Sequence, residues 1–194
     1  MRVSKLEMMR ESQILEQINQ LPTGNHTIAI DGRCAAGKST LAEYLAKQIG
    51  AGVVHMDDFY LPVELRTVER LKEPGGNVHY ERFQEEVLPF LNLGREFSYR
   101  RFDCSSMELG ELCQVKASRF TIVEGAYSCH PRLGKYMSLR IFLDVEPAVQ
   151  RERILRRNGE ERLQAFLQKW IPMEERYFQT YGLRENADMV LEGE

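Results

Sequence analysis

Cysteine is scarce in this 194-residue chain: Cys34, Cys104, Cys113 and Cys129 are all it has, and no two of them form a C-x-x-C pair. Such scattered thiols argue against a zinc site or a disulfide framework and predict a protein of the reducing cytoplasm. No apolar run approaches the ~20 residues that span a bilayer. Charges interrupt the first twenty residues throughout, so neither a signal peptide nor a membrane partner is expected. Internal repeats and low-complexity tracts are missing, which excludes a solenoid or a disordered linker. Basic excess is missing as well: the formal net charge is −3. A broad nucleic-acid surface is thereby excluded, and any anion site must be local.

What is present fits a single domain over residues 1–194, with 43% apolar and 28% charged residues, as in ordinary globular proteins. Residues 1–23 predict a leading helix, its apolar positions from Ser4 to Leu21 recurring at helical spacing until Pro22-Thr23-Gly24 breaks the pattern. Thr27 to Ile30 and Val53 to Met56 read as buried strands around a helix from Lys38 to Ile49, which is a βαβ unit with parallel strands. Further strands are expected at Phe120 to Val123, Leu139 to Leu143 and Met189 to Leu191. Phe97 to Asp103 and Leu112 to Lys116 are expected to pair. Helices are expected at Tyr80 to Leu91, Pro147 to Arg157, Glu160 to Trp170 and after Pro172. Alternation of this kind predicts an α/β sheet covered on both faces.

Between the first strand and its helix lies Gly32-Arg33-Cys34-Ala35-Ala36-Gly37-Lys38-Ser39, which fits G-x-x-x-x-G-K-[ST] in its confirming strand-to-helix setting. Glycines let successive N–H groups point inward as an anion nest, and the following helix adds its positive end. Lys38 supplies a point charge for the outer phosphates, and the Ser39 hydroxyl can ligate Mg²⁺. Thr40 completes the candidate nucleotide-binding set, although Thr40 and Cys34 read first as small helix or loop fillers and only second as participants. ATP and Mg²⁺ are the implied cofactors.

Ligands of parallel sheets sit beyond the carboxyl ends of the strands, and acids fall there. Glu124 ends one strand, where it could hold metal or be merely solvated. Asp57-Asp58 ends another, and side-chain alternation lets only one of the two face the ligand. Arg151, Arg153, Arg156, Arg157 and Arg162 crowd a polar stretch at about 147–162. Such a run is often a solvated helix face, but beside a phosphate loop it predicts a lid that closes over the nucleotide, with Arg153 and Arg157 as its candidate catalytic members.

Those features together resemble the uridine kinase family of P-loop kinases, with phosphoribulokinase and bacterial pantothenate kinase as wider relatives. The likeness runs from about Thr27 to Leu191. It rests on Gly32 to Ser39, on His55-Met56-Asp57-Asp58-Phe59-Tyr60, on Ile122 to Gly125, on the arginine-rich lid and on Ala187-Asp188-Met189-Val190. It implies a P-loop NTPase-type fold, a parallel five-stranded sheet flanked by helices, with an inserted acceptor-binding region at about 60–116. It implies that Asp57 acts at the attacking hydroxyl and with Mg²⁺, that Glu124 is metal-associated, and that Tyr60 is the aromatic on the substrate side. His79 stands where the family has an aspartate for ribose hydroxyls. Tyr99 and Arg101 fall where the family reads the pyrimidine, and Arg100 with Arg101 would suit an anionic substrate.

The expected activity is therefore transfer of the γ-phosphoryl group of ATP to a hydroxyl of a small molecule, a nucleoside such as uridine or cytidine in the first instance. Pantothenate, a sugar acid or nicotinamide riboside are alternative acceptors. A non-kinase P-loop nucleotide-binding module is the rival of another class, weakened because the chain has no N-K-x-D guanine reader. Arg184 to Asp188 is a candidate edge for the adenine, and homo-oligomerisation stays open.

Overall fold

The computed structural model describes residues 5–193; the expected helix start at Ser4 lies outside them. The chain opens with α1 (Lys5–Asn19), β1 (His26–Gly32), α2 (Lys38–Ile49) and β2 (Gly52–His55). After a 3₁₀ turn at Met56–Phe59 come α3 (Val68–Lys72), α4 (Tyr80–Glu86), β3 (Phe97–Asp103) and β4 (Glu108–Val115). Then follow β5 (Phe120–Glu124), β6 (Leu139–Val145), α5 (Pro147–Ala165), α6 (Ile171–Tyr181) and β7 (Met189–Gly193).

Five strands form one parallel sheet in the order β2-β5-β1-β6-β7, as expected, and β3 and β4 make a separate antiparallel hairpin. Alternation along the strands feeds two cores. Ile28, Ile30, Ile122, Ile141 and Leu143 pack with Ile14 and Ile18 of α1 and Ala42 and Leu45 of α2. On the other face Val54, Val123 and Phe142 join Phe83 of α4 and Tyr177 and Phe178 of α6. Each fully buried large side chain contributes on the order of 1.5–3 kcal/mol, and helices on both faces are what bury β1 and β5 along nearly their whole length.

Differences from expectation have local causes. α4 ends at Glu86 rather than Leu91, because Pro89 has no N–H for the helical ladder and the chain tightens into a 3₁₀ turn at Leu88–Phe90. The connector before α4 contains α3, capped by the Thr67 hydroxyl accepting from the Arg70 N–H at 3.1 Å. α5 passes through Gly159, whose φ of 80° and ψ of 171° interrupt the helix at the polar Asn158-Gly159 step. A π-helical turn, Phe166–Trp170, lies directly before Pro172, which cannot donate to the Gln168 carbonyl. Among the described residues no helix is long and apolar enough to cross a membrane, and all four cysteines are free.

Candidate active site

The carboxyl ends of the five parallel strands open onto a cleft of about 730 Å³. β1 enters it through Gly32 (φ 130°), where a Cβ would stand 2.1 Å from the Leu143 carbonyl oxygen, so no other residue fits. The Arg33 N–H donates to that carbonyl at 3.1 Å and the Ala36 N–H to the Arg33 carbonyl at 3.2 Å, which closes the loop. Gly37 (φ 98°) is the N-cap of α2. Lys38 is buried and its Nζ donates to the carbonyls of Gly32 at 2.8 Å and Arg33 at 2.7 Å.

Cys34 through Thr40 line the cleft. Gly32 lies behind them, and the Arg33 side chain turns away to pair with Asp144 at 2.5 Å and with Glu175. Asp31 braces the loop from beneath: its carboxylate accepts from the N–H groups of Gly32 (2.7 Å), Tyr127 (3.1 Å) and Cys129 (2.9 Å) and from the Tyr177 hydroxyl (2.8 Å). Burial pushes its pKa up while those donors oppose the shift. Cys34 is gripped on both sides, its N–H by Glu174 Oε2 and its carbonyl by Gln150 Nε2, each at 3.0 Å. Burial and the Glu174 carboxylate push the Cys34 thiol up to about 12, so it is no nucleophile at neutral pH.

Glu124, buried at the end of β5, meets the loop directly, with the Ser39 hydroxyl 3.2 Å from both of its carboxylate oxygens. His55 Nδ1 sits 2.5 Å from the same carboxylate, and this contact raises the imidazole pKa.

Asp57 and Asp58 part company, although not by strand alternation, since β2 ends at His55 and both belong to the 3₁₀ turn. Asp57 opens into the cleft, and its carboxylate accepts from the Tyr60 hydroxyl at 3.3 Å. The protein mass around the cleft floor raises its pKa, opposed by Lys38 and assisted by Glu124. Asp58 is buried the other way, accepting from the Tyr99 hydroxyl at 2.8 Å and Arg101 Nε at 2.9 Å. Tyr99 and Arg101 therefore anchor the hairpin to the turn and do not line the cleft. Arg100 gives its Nη1 to the Gly110 carbonyl at 3.0 Å. His79 caps α4 outside the cleft, and burial lowers its pKa.

Arg153, Arg156 and Arg157 of α5 line the cleft opposite the loop, and Arg153 Nη1 donates to the Ala35 carbonyl at 2.9 Å. Arg151 and Arg162 do not reach it. Arg184 is committed to Asp144 and Glu192, and Asn186 and Ala187 line a different cavity of about 290 Å³. The cleft edge expected at Arg184 to Asp188 is formed instead by Leu191 to Gly193 of β7, together with Arg10, Glu11 and Ile14 of α1.

Glu174 and Tyr127 join this set unannounced by any local motif, whereas Asn77 opens the stretch Asn77-Val78-His79 that stands against the family's ribose-binding motif and His55 opens the stretch that runs to Tyr60. His55 meets Glu124 because β2 and β5 pair these two residues in register.

No protein-family model matches the sequence, and no curated protein matches it. Solved structures do share its fold. A possible uridine kinase of Bacillus stearothermophilus superposes with a TM-score of 0.70 at 19% identity, covering 95% of this chain and 98% of that one. A protein of Silicibacter sp. TM1040, provisionally named a fructose transport system kinase, gives 0.68 at 23% identity, covering 94% and 97%. Saccharomyces cerevisiae YFH7, provisionally named a P-loop-containing kinase with a circular permutation, gives 0.58 at 12%, covering 95% and 98%. The chain thus has the α/β fold of uridine kinase-like P-loop kinases.

Proposed function

We propose that this protein is an ATP- and Mg²⁺-dependent small-molecule kinase acting on a hydroxyl group, with nucleosides such as uridine and cytidine the first acceptors to test. The observation that carries this reading is the convergence of Lys38, Ser39, Asp57, Glu124 and the α5 arginines on one cleft. A nucleotide module without transfer would also hold Mg²⁺ with a loop hydroxyl and a carboxylate, but would need no space beyond the phosphates for an acceptor.

In this reading the N–H groups of residues 34–39 other than those of Cys34 and Ala36, which Glu174 and the Arg33 carbonyl hold, cradle the phosphates of ATP. Lys38 swings from the loop carbonyls toward the β- and γ-phosphates, and Arg153 and Arg157 approach from the lid side. Asp57 orients the acceptor hydroxyl and accepts its proton as the new oxygen–phosphorus bond forms; the bond to the β–γ bridging oxygen breaks and ADP leaves. Mg²⁺ typically takes one or two carboxylates plus substrate phosphates, and Ser39 with Glu124 and Asp57 fits that donor set. When bound there, the ion would neutralise charge on the transferring phosphate. Transfers of this kind depend on positioning and electrostatics, which suits a site of fixed dipoles and charges. The free thiols support a cytoplasmic setting.

A coupled ATP-consumption assay against nucleosides, sugars, pantothenate and glycerate tests the reading, with Lys38→Ala as the control. Acceptor-stimulated ADP formation that is lost in Lys38→Ala is the expected result. ATP binding with no stimulation by any acceptor would contradict it.

A further inference from the structure

The first half of the phosphate loop commits most of its N–H groups to the protein. The Arg33 N–H donates to the Leu143 carbonyl at 3.1 Å, the Cys34 N–H to Glu174 at 3.0 Å and the Ala36 N–H to the Arg33 carbonyl at 3.2 Å. The Ala35 N–H has no acceptor among the described residues, and Ala35 lines the cleft. Its backbone is left-handed (φ 59°), which is uncommon for a residue with a side chain. Such a conformation persists only where the surroundings over-determine it.

Those surroundings are side-chain donors set on the loop carbonyls. Lys38 Nζ holds those of Gly32 at 2.8 Å and Arg33 at 2.7 Å, Arg153 Nη1 holds that of Ala35 at 2.9 Å, and Gln150 Nε2 holds that of Cys34 at 3.0 Å. Gln150 Nε2 also lies 3.3 Å from the Cys34 sulfur. A carbonyl only accepts, so the amide of Gln150 turns its NH₂ toward Cys34.

Covalent geometry converts this contact into a direction. The Cys34–Ala35 peptide is trans, so the Cys34 carbonyl and the Ala35 N–H point in opposite directions. Gln150 is 3% exposed and is no part of the cleft wall, and a carbonyl drawn to it leaves the Ala35 N–H facing the cleft. Inverting that peptide would set an oxygen acceptor where phosphate oxygens are to bind, in place of a donor of the anion nest.

Permanence separates Gln150 from the other two donors. Lys38 and Arg153 carry charge, and both turn to the phosphates in the kinase reading. Gln150 is neutral and buried in the first turns of α5, where its N–H donates to the Glu146 carbonyl at 2.9 Å. It is the hold that remains when nucleotide arrives.

We propose that Gln150 is a positioning residue of the phosphate site: it locks the Cys34–Ala35 peptide so that the Ala35 N–H donates to a phosphate oxygen of the nucleotide. This rests on the kinase reading above. Gln150 itself touches neither nucleotide nor acceptor.

The test uses the full chain, isotopically labelled for amide NMR, with inorganic pyrophosphate and ATP as the probes. Gln150→Met and Gln150→Leu each remove the donor at nearly constant volume, and two variants are used because the site is buried. Adding pyrophosphate to the wild type is expected to move the Ala35 amide proton downfield, as donation to an anion does. In the variants that movement is lost, the Kd of pyrophosphate and the KM for ATP rise by about ten-fold or more, and the KM for the acceptor keeps its wild-type value. An Ala35 proton that stays in place when pyrophosphate binds the wild type overturns the inference and leaves the kinase reading standing. So does a folded variant that binds pyrophosphate as tightly as the wild type, or a loss shared equally by ATP and acceptor. A wild-type protein that binds neither pyrophosphate nor ATP overturns both.

Discussion

The Ser39 hydroxyl lies 3.2 Å from both oxygens of the Glu124 carboxylate, joining the phosphate loop to the end of the neighbouring strand β5. A hydroxyl and a carboxylate held this way present oxygen ligands to one hard cation. Glu124→Gln is therefore expected to raise the Mg²⁺ concentration for half-maximal turnover by about ten-fold or more, with metal-free ATP binding unaltered. Mg²⁺ titrations of turnover and of ATP binding check this, and equal weakening in both would contradict a metal role.

Asp57→Asn removes the proton acceptor but keeps shape, and is expected to lower kcat by about 10²- to 10⁴-fold with the KM for ATP nearly unchanged. In this reading the acid limb of kcat belongs to the Asp57 carboxylate and vanishes in the variant. A pH profile of kcat for both proteins measures this.

Glu174 makes a prediction about stability. Burial raises its carboxyl above the ordinary 4.5, opposed by Lys38 and by the Cys34 N–H. A carboxyl harder to ionise in the fold than in the unfolded chain costs stability once pH passes its unfolded value, reaching the full cost above the raised one. Glu174→Gln keeps an oxygen for the Cys34 N–H and removes that cost. The melting temperatures of the two proteins should nearly coincide at about pH 4 and separate in favour of the glutamine variant toward pH 7. A gap widest in acid would contradict this.

Tyr99 and Arg101 act as anchors of Asp58. Tyr99→Phe is expected to cost about 1.5–3 kcal/mol, the worth of a hydrogen bond to a charged group, and to lower Tm by several degrees. Arg101→Leu costs less, about 1 kcal/mol, because its side chain is 46% exposed and the pair is screened. Neither change should move the acceptor KM by more than about two-fold. Thermal melts with acceptor titrations separate an anchor from a substrate contact.

How far the sequence could be read follows from which signals are local. The loop Gly32 to Ser39 was legible because its spacing carries its own geometry, and β1, β5 and β6 because each holds a short run dominated by apolar residues, as buried parallel strands do. β4 was only half legible: five of its eight residues are exposed, so no apolar alternation marked its start at Glu108. Asp57 was favoured over Asp58 by resemblance, and the two do diverge, but through a 3₁₀ turn that alternation does not describe. His79, Tyr99 and Arg101 shared the acceptor region in sequence and lie off the cleft in space. Glu174 meets Cys34 across 140 positions, and Asp31 accepts from the Cys129 N–H across 98; only tertiary packing makes such pairs.

The central claim is transfer of a phosphoryl group from ATP to an acceptor hydroxyl, and phosphorus NMR of the complete reaction tests it most directly. The account predicts one phosphorylated acceptor for each ADP formed, with no product in Lys38→Ala. ADP appearing with inorganic phosphate alone, the acceptor recovered unchanged, would contradict it.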